Sequence, residues 1–197
     1  MKKLLVFIFI LSVSGVFAQK SKKPDWENPL VTEINKERGR SAFQTYDNLE
    51  RALKDEAPQF RMSLNGQWKF HFAKSPDQRP ENFYRTSYDV SDWSDIRVPG
   101  NWEVEGFGIP IYVNHPYEFA DPRTPITEMK NGPQPPQIPH DYNPVGSYRH
   151  SFNIPENWDG REIFIHFGAV KSAFYIWVNG EKVGYSQGSK LPAEFNI

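Results

Sequence analysis

Two strand-like runs joined by a two-residue turn constrain this chain more than any other stretch: Ala173 to Tyr185, A-F-Y-I-W-V-N-G-E-K-V-G-Y. Asn179 and Gly180 both tolerate the positive φ that a two-residue type I′ turn demands at its central positions, and the flanks are β-branched and aromatic. A β-hairpin is predicted. Alternation along its first strand puts Ala173, Tyr175 and Trp177 on one face and Phe174, Ile176 and Val178 on the other. Both faces are apolar. Such a strand is expected either in the middle of a sandwich, or with core on one side and a binding or domain-packing surface on the other. Glu162–Phe167, E-I-F-I-H-F, reads as a strand just upstream, broken by Gly168.

Residues 1–18 are set aside from fold reasoning. Lys2 and Lys3 form a positive n-region, Leu4 to Leu11 an apolar run too short to span a bilayer, and Val16-Phe17-Ala18 a small-residue cleavage site before Gln19. This is the pattern of a secretory signal peptide, so the chain is expected to be exported, to the periplasm or beyond. The absence of cysteine leaves no disulfide framework and no lipid attachment at the cleavage site. Loss of Lys2 and Lys3 takes the formal charge from −1 to −3, which is no footprint for nucleic acid or anionic membrane. A neutral ligand suits it better. Aromatic residues at 15% and 17 prolines point to short strands and rigid loops, and no helix long enough for a parallel crossover is apparent. The fold class expected is all-β.

Along the chain, Asp25–Leu30 reads as an ordered arm anchored by Trp26, Val31–Asn35 as a short helical turn, and Asp47–Lys54 as a helix. A second Asn-Gly pair, Asn65-Gly66, is read as a turn, followed by alternation that places Trp68, Phe70 and Phe72 on one core-facing side. Pro76–Asp95 carries aspartates whose loop spacing suits solvated turns better than a metal site. Strands are expected at Ile96–Val98, Ile109–Val113 and Gly146–Pro155. Between Asp121 and Pro144 a proline-dense stretch suggests a shaped, ordered loop. No P-loop, dinucleotide fingerprint, zinc spacing or nucleophile elbow occurs, and the histidines (His71, His115, His140, His150, His166) are scattered.

From Phe167 to Phe195 the string F-G-A-V-K-S-A-F-Y-I-W-V-N-G-E-K-V-G-Y-S-Q-G-S-K-L-P-A-E-F resembles the N-terminal sugar-binding jelly roll of glycoside hydrolase family 2, within it the large β-galactosidases. Leu64–Phe70, L-N-G-Q-W-K-F, is similar to the first jelly-roll strand of that family, and D-W-E-N-P at Asp25–Pro29 to the opening of its mature chain. Gly184–Ser189 and Pro192–Phe195 favour the galactosidase branch over the β-glucuronidases, which usually carry a glycine-rich segment with a histidine after the V-N-G turn. The implied organisation is a signal peptide at 1–18, an arm at 19–58 and a jelly-roll β-sandwich at 59–197, incomplete at its C-terminal end.

The resemblance also implies an activity and a site. The activity is retaining hydrolysis of terminal non-reducing β-D-galactosyl residues by two glutamates on a (β/α)₈ barrel that this chain does not carry. No catalytic residue is therefore expected here, and the chain alone should be inert. Full-length members often use Mg and Na ions; no cofactor is expected in this chain. The implied partners are a galactoside or oligosaccharide substrate, the missing C-terminal domains and, at full length, copies of the same enzyme. Pro110-Ile-Tyr-Val-Asn114 matches P-I-Y-x-N, whose asparagine reaches the edge of the galactose pocket, where an amide can donate to and accept from sugar hydroxyls. Read without the resemblance, Asn114 is a turn residue before His115-Pro116. In G-Y-x-Q-D-S the family aspartate contacts a sugar hydroxyl and a sodium ion; Gly188 occupies that position here. Three readings stay open beside this one: a stand-alone carbohydrate-binding module, a family 2 relative of different specificity such as a β-glucuronidase, and a structural or interaction domain sharing the fold.

Overall fold

The computed structural model describes residues 23–110 and 138–197. Among them are eight strands, β1 (Glu33–Ile34), β2 (Gly66–Ala73), β3 (Ser94–Val98), β4 (Val145–Arg149), β5 (Phe164–Phe167), β6 (Ala173–Val178), β7 (Glu181–Gln187) and β8 (Ala193–Asn196). One short α-helix, α1 (Leu49–Leu53), and three single 3₁₀ turns accompany them. The strands form antiparallel sheets in the orders β1-β7-β6, β3-β2-β4 and β5-β8. The all-β expectation holds.

Asn179 (φ 52°) and Gly180 (φ 92°) make the predicted turn between β6 and β7, closed by Val178 opposite Glu181. The register slips between Ile176–Gly184 and Trp177–Lys182, leaving Val183 as the extra residue of a bulge. The predicted faces are the observed ones. Phe174, Ile176 and Val178 join Phe195, Ile165 and Ala193 in one core, with the Phe174 and Phe195 rings 6.0 Å apart edge to face. The β5–β8 pair is thus laid on the hairpin as the second layer of a β-sandwich. β5 does not pair with β6, its neighbour in sequence, but with β8. Gly184 makes the layering possible: a Cβ there would lie 2.5 Å from the Ile34 carbonyl oxygen and 2.6 Å from the Phe195 ring.

Val31–Asn35 is not a helical turn. Its β-branched residues find open backbone partners on the edge of β7, so Glu33 pairs with Ser186 and Ile34 with Tyr185, and Asn35 at φ 52° ends the strand. Beyond β1 the arm stays attached through Glu37 N–H to the Glu194 carbonyl at 2.8 Å and the Arg40 guanidinium to the Glu194 carboxylate at 2.7 and 3.1 Å. The helix expected in Asp47–Lys54 forms as α1, capped by the Asn48 side chain accepting from Arg51 N–H at 3.0 Å.

Asn65-Gly66 does not form the expected turn either: residues 61–65 belong to no strand or turn, and Gly66 opens β2. Of the three aromatic residues on β2, Phe70 is fully buried while Trp68 and Phe72 are half-buried. β4 ends at Arg149, short of the expected Pro155. Ile109 and Pro110 lie outside any strand, and the rest of Ile109–Val113, most of the proline-dense stretch and residues 1–18 fall outside the described residues. In Pro76–Asp95 two of the aspartates serve the chain itself: Asp89 accepts from Ser91 N–H at 2.9 Å, and Asp95 pairs with Lys69 at 3.1 Å. No helix among the described residues is long and apolar enough to cross a membrane.

Candidate functional site

After β3 the chain turns through Asn101–Gly106, and Phe107 N–H returns to the Trp102 carbonyl at 2.9 Å. This turn offers Trp102 and Phe107 to the aromatic face of β2. Phe107 meets Phe70 edge to face at 4.9 Å, Trp102 meets Phe72 at 5.8 Å, and Tyr148 of β4 closes on Phe70 at 4.8 Å. Gly146 is what lets them converge, since a Cβ there would stand 2.7 Å from both the Phe70 and Trp102 rings. Burial, and then the nearby Glu103 carboxylate, push the Tyr148 phenol up to about 12. Gly108 lies against the Phe72 ring, and Ile109-Pro110 follows it. Asn114, four residues further on, lies outside the described residues.

The other implied position is at the end of β7. Gly188, at φ 121°, donates its N–H to the Ser172 carbonyl at 2.9 Å and accepts from Leu191 N–H at 3.1 Å. A Cβ on it would press to 3.2 Å from Leu191 Cδ1 in a backbone conformation that disfavours side chains. Glycine here shapes a turn, and it brings no side-chain oxygen for a sugar or a sodium ion.

Beside that turn is a group that sequence reasoning missed. Tyr175 and Tyr185 face each other across β6 and β7 with ring centroids 4.8 Å apart. Tyr175 OH donates to Asp25 Oδ2 at 2.6 Å, Tyr185 OH donates to Gln187 Oε1 at 2.9 Å, Trp26 meets Tyr175 edge to face at 6.0 Å, and Lys182 Nζ sits 4.2 Å over the Tyr175 ring. Burial and then Asp25 raise the Tyr185 phenol to about 12, and burial followed by the Asp25 hydrogen bond raises Tyr175 further. Both phenols stay protonated at neutral pH. They act as donors, not as proton acceptors. Regular register across the Asn-Gly turn would set Tyr175 opposite Gly184; only the Val183 bulge brings it opposite Tyr185, and nothing local points to Asp25, 150 residues away from Tyr175.

Between the sheets runs an open trough of about 3880 Å³. Small-ligand pockets occupy about 300–1,000 Å³, so a volume of this size marks out no sugar pocket by itself.

Residues 61–197 match the family model for glycosyl hydrolases family 2, sugar binding domain. The chain is 42% identical over 167 residues to a beta-galactosidase of Halalkalibacterium halodurans, covering 85% of this chain and 16% of that protein. It is 39% identical over 181 residues to a beta-galactosidase of Psychromonas ingrahamii, covering 92% and 16%. Among solved structures it is similar to a beta-glucuronidase of an uncultured Clostridium species, at 21% identity and a TM-score of 0.43, covering 68% of this chain and 18% of that one. The chain therefore spans 16% of the length of these curated relatives.

Proposed function

The chain belongs to glycosyl hydrolase family 2, whose sugar-binding domain it carries in residues 61–197, and from that membership we propose that it is the N-terminal part of an exported β-galactosidase. The enzyme hydrolyses terminal non-reducing β-D-galactosyl residues with retention. One observation carries the substrate: 42% identity over 85% of the chain to a protein named beta-galactosidase. The n-region, apolar run and small-residue site of residues 1–18 support export.

In this reading the domain contributes a wall to the sugar site and the chemistry is done by carboxylates elsewhere in the enzyme. Retaining cleavage needs two carboxyl groups about 5 Å apart on a rigid frame. Asn114 follows the Phe70–Trp102–Phe107–Tyr148 cluster in the chain, and in this reading its amide reads sugar hydroxyls. Gly188 has no side-chain oxygen, so neither the second sugar contact nor the sodium contact is proposed for this chain.

The test is a comparison of chromogenic β-galactoside and β-glucuronide as substrates for the whole enzyme that carries this domain. The galactoside should be turned over, and Asn114→Ala should lower kcat/KM by about 1–3 kcal/mol of transition-state stabilisation, from pocket groups left unpaired. Residues 19–197 alone should turn over neither. Preference for the glucuronide would replace the substrate assignment, and an unchanged kcat/KM in the variant would return Asn114 to a turn role.

A further inference from the structure

Asn-Gly pairs are chemically vulnerable, because glycine puts no side chain in the way when its backbone nitrogen approaches the asparagine side chain. The described residues contain two, Asn65-Gly66 and Asn179-Gly180, and the fold treats them in opposite ways. Both asparagines are exposed, so solvent reaches both side-chain amides. The difference lies in the backbone.

Asn179 and Gly180 are held at φ 52° and 92° between two paired strands, with Val178 opposite Glu181 on either side of the turn. Gly180 is half-buried, and a Cβ on it would come within 3.9 Å of the Tyr84 carbonyl oxygen. Reaching a cyclising geometry there means opening the hairpin end. Asn65 sits before β2, outside any ladder, and its neighbours Arg61–Leu64 belong to no strand. Gly66 is exposed, pairs only at the start of the β2–β3 ladder, opposite Val98, and has no heavy atom within 4 Å of where a Cβ would stand. Among the described residues the Asn65 side chain makes no hydrogen bond; only its backbone N–H is engaged, to Ser63 Oγ at 3.2 Å.

We propose that Asn65-Gly66 is a site of spontaneous deamidation in the folded protein and that the hairpin protects Asn179-Gly180 from the same reaction. The Gly66 amide nitrogen gives up its proton to solvent and attacks Cγ, the amide carbon of the Asn65 side chain. A bond forms between that nitrogen and Cγ, the bond from Cγ to Nδ2 breaks, and Nδ2 takes up a proton and departs as ammonia. Water then opens the succinimide at one of its two carbonyls, giving aspartate or isoaspartate. The product adds a negative charge at the entrance of β2, and the isoaspartate form adds a main-chain methylene there. β2 carries Phe70 and Phe72, against which Phe107 and Trp102 pack.

Digestion after lysine and arginine puts the two sites on separate peptides, Met62–Lys69 and Ser172–Lys182. The protein is held in warm, mildly alkaline buffer, in one arm folded and in the other in denaturant, and both peptides are followed by mass with isoaspartate detected enzymatically. In the folded arm Asn65 should convert at least about tenfold faster than Asn179, since exchange-type chemistry at a structured site waits for local opening. In denaturant the two rates should converge. Equal or reversed rates in the folded protein would overturn the proposal, as would an equally large difference in denaturant, which would trace it to neighbouring residues and not to the fold.

Discussion

On one side of strand β6, Phe174, Ile176 and Val178 meet Phe195 and Ile165; on the other, Tyr175 and Trp177 meet Trp26, Tyr84 and the Asp25 carboxylate. The first face is closed by hydrocarbon and aromatic edges alone, its buried partners coming from β5 and β8 with Leu64, Val183 and Ile197 at the margin. The second is closed by aromatic rings that keep a polar tip: the Tyr84 and Trp177 rings stack at 5.3 Å, and the Tyr175 and Tyr185 hydroxyls each have an acceptor. Two apolar faces on one strand are thus buried by different means. Non-directional burial suffices where a second sheet is at hand. Where the cover is a segment of the N-terminal arm, a directed hydrogen bond and ring contacts fix its position.

Raising the pH should have the largest effect and fall first on the polar face. On that face the Tyr185 phenol is raised from 10 to about 12, chiefly by burial, and Tyr175 is raised further; Tyr148, in the Phe70 cluster, is likewise raised to about 12. The folded state therefore holds their protons more tightly than the unfolded state does. This contribution to stability is fully present below pH 10 and is lost as the pH climbs from 10 to about 12. Tyrosinate absorbance and circular dichroism followed together should show these phenols ionising with loss of structure. Titration of every tyrosine near pH 10 with structure intact would mean that the face is not sealed.

Phe195→Ala attacks the apolar face. Phe195 is fully buried and touches Phe167 and Phe174, so its truncation should cost about 3–5 kcal/mol in urea unfolding, transfer and cavity combined. A loss below about 1 kcal/mol would show that the two layers do not depend on this contact. The smallest effect is expected of Tyr175→Phe, which keeps the ring and removes only the hydrogen bond to Asp25. Because Tyr175 is half-buried, the loss should be about 1–2 kcal/mol, and it should disappear when measured in an Asp25→Ala background.

Much of this arrangement could be read from residue order because its causes are local. Asn179-Gly180 between two β-branched and aromatic runs permits one short turn, and period-2 alternation then assigns Phe174 and Tyr175 to opposite faces. The cap on α1 belongs to the same kind, since Asn48 reaches Arg51 N–H within one turn. Family membership was legible in the Phe167–Phe195 string, and the match to residues 61–197 agrees with it.

Other features were decided only when distant segments met. Identical dipeptides, Asn65-Gly66 and Asn179-Gly180, came to different ends because only the second has a strand on each side to pair. Val31–Asn35 became β1 because the edge of β7 offered it backbone partners, which outweigh a weak local preference in a short segment. The need for glycine at 184 comes from the Ile34 carbonyl and the Phe195 ring, and the need at 146 from Phe70, Trp102 and Tyr148. Asp25 finds Tyr175 across 150 positions of sequence. Turn geometry, alternation and capping act within a few residues and so are written in their order; pairing partners, close approaches and the polar seal depend on which surfaces the folded protein brings within contact distance, and only the tertiary structure decides that.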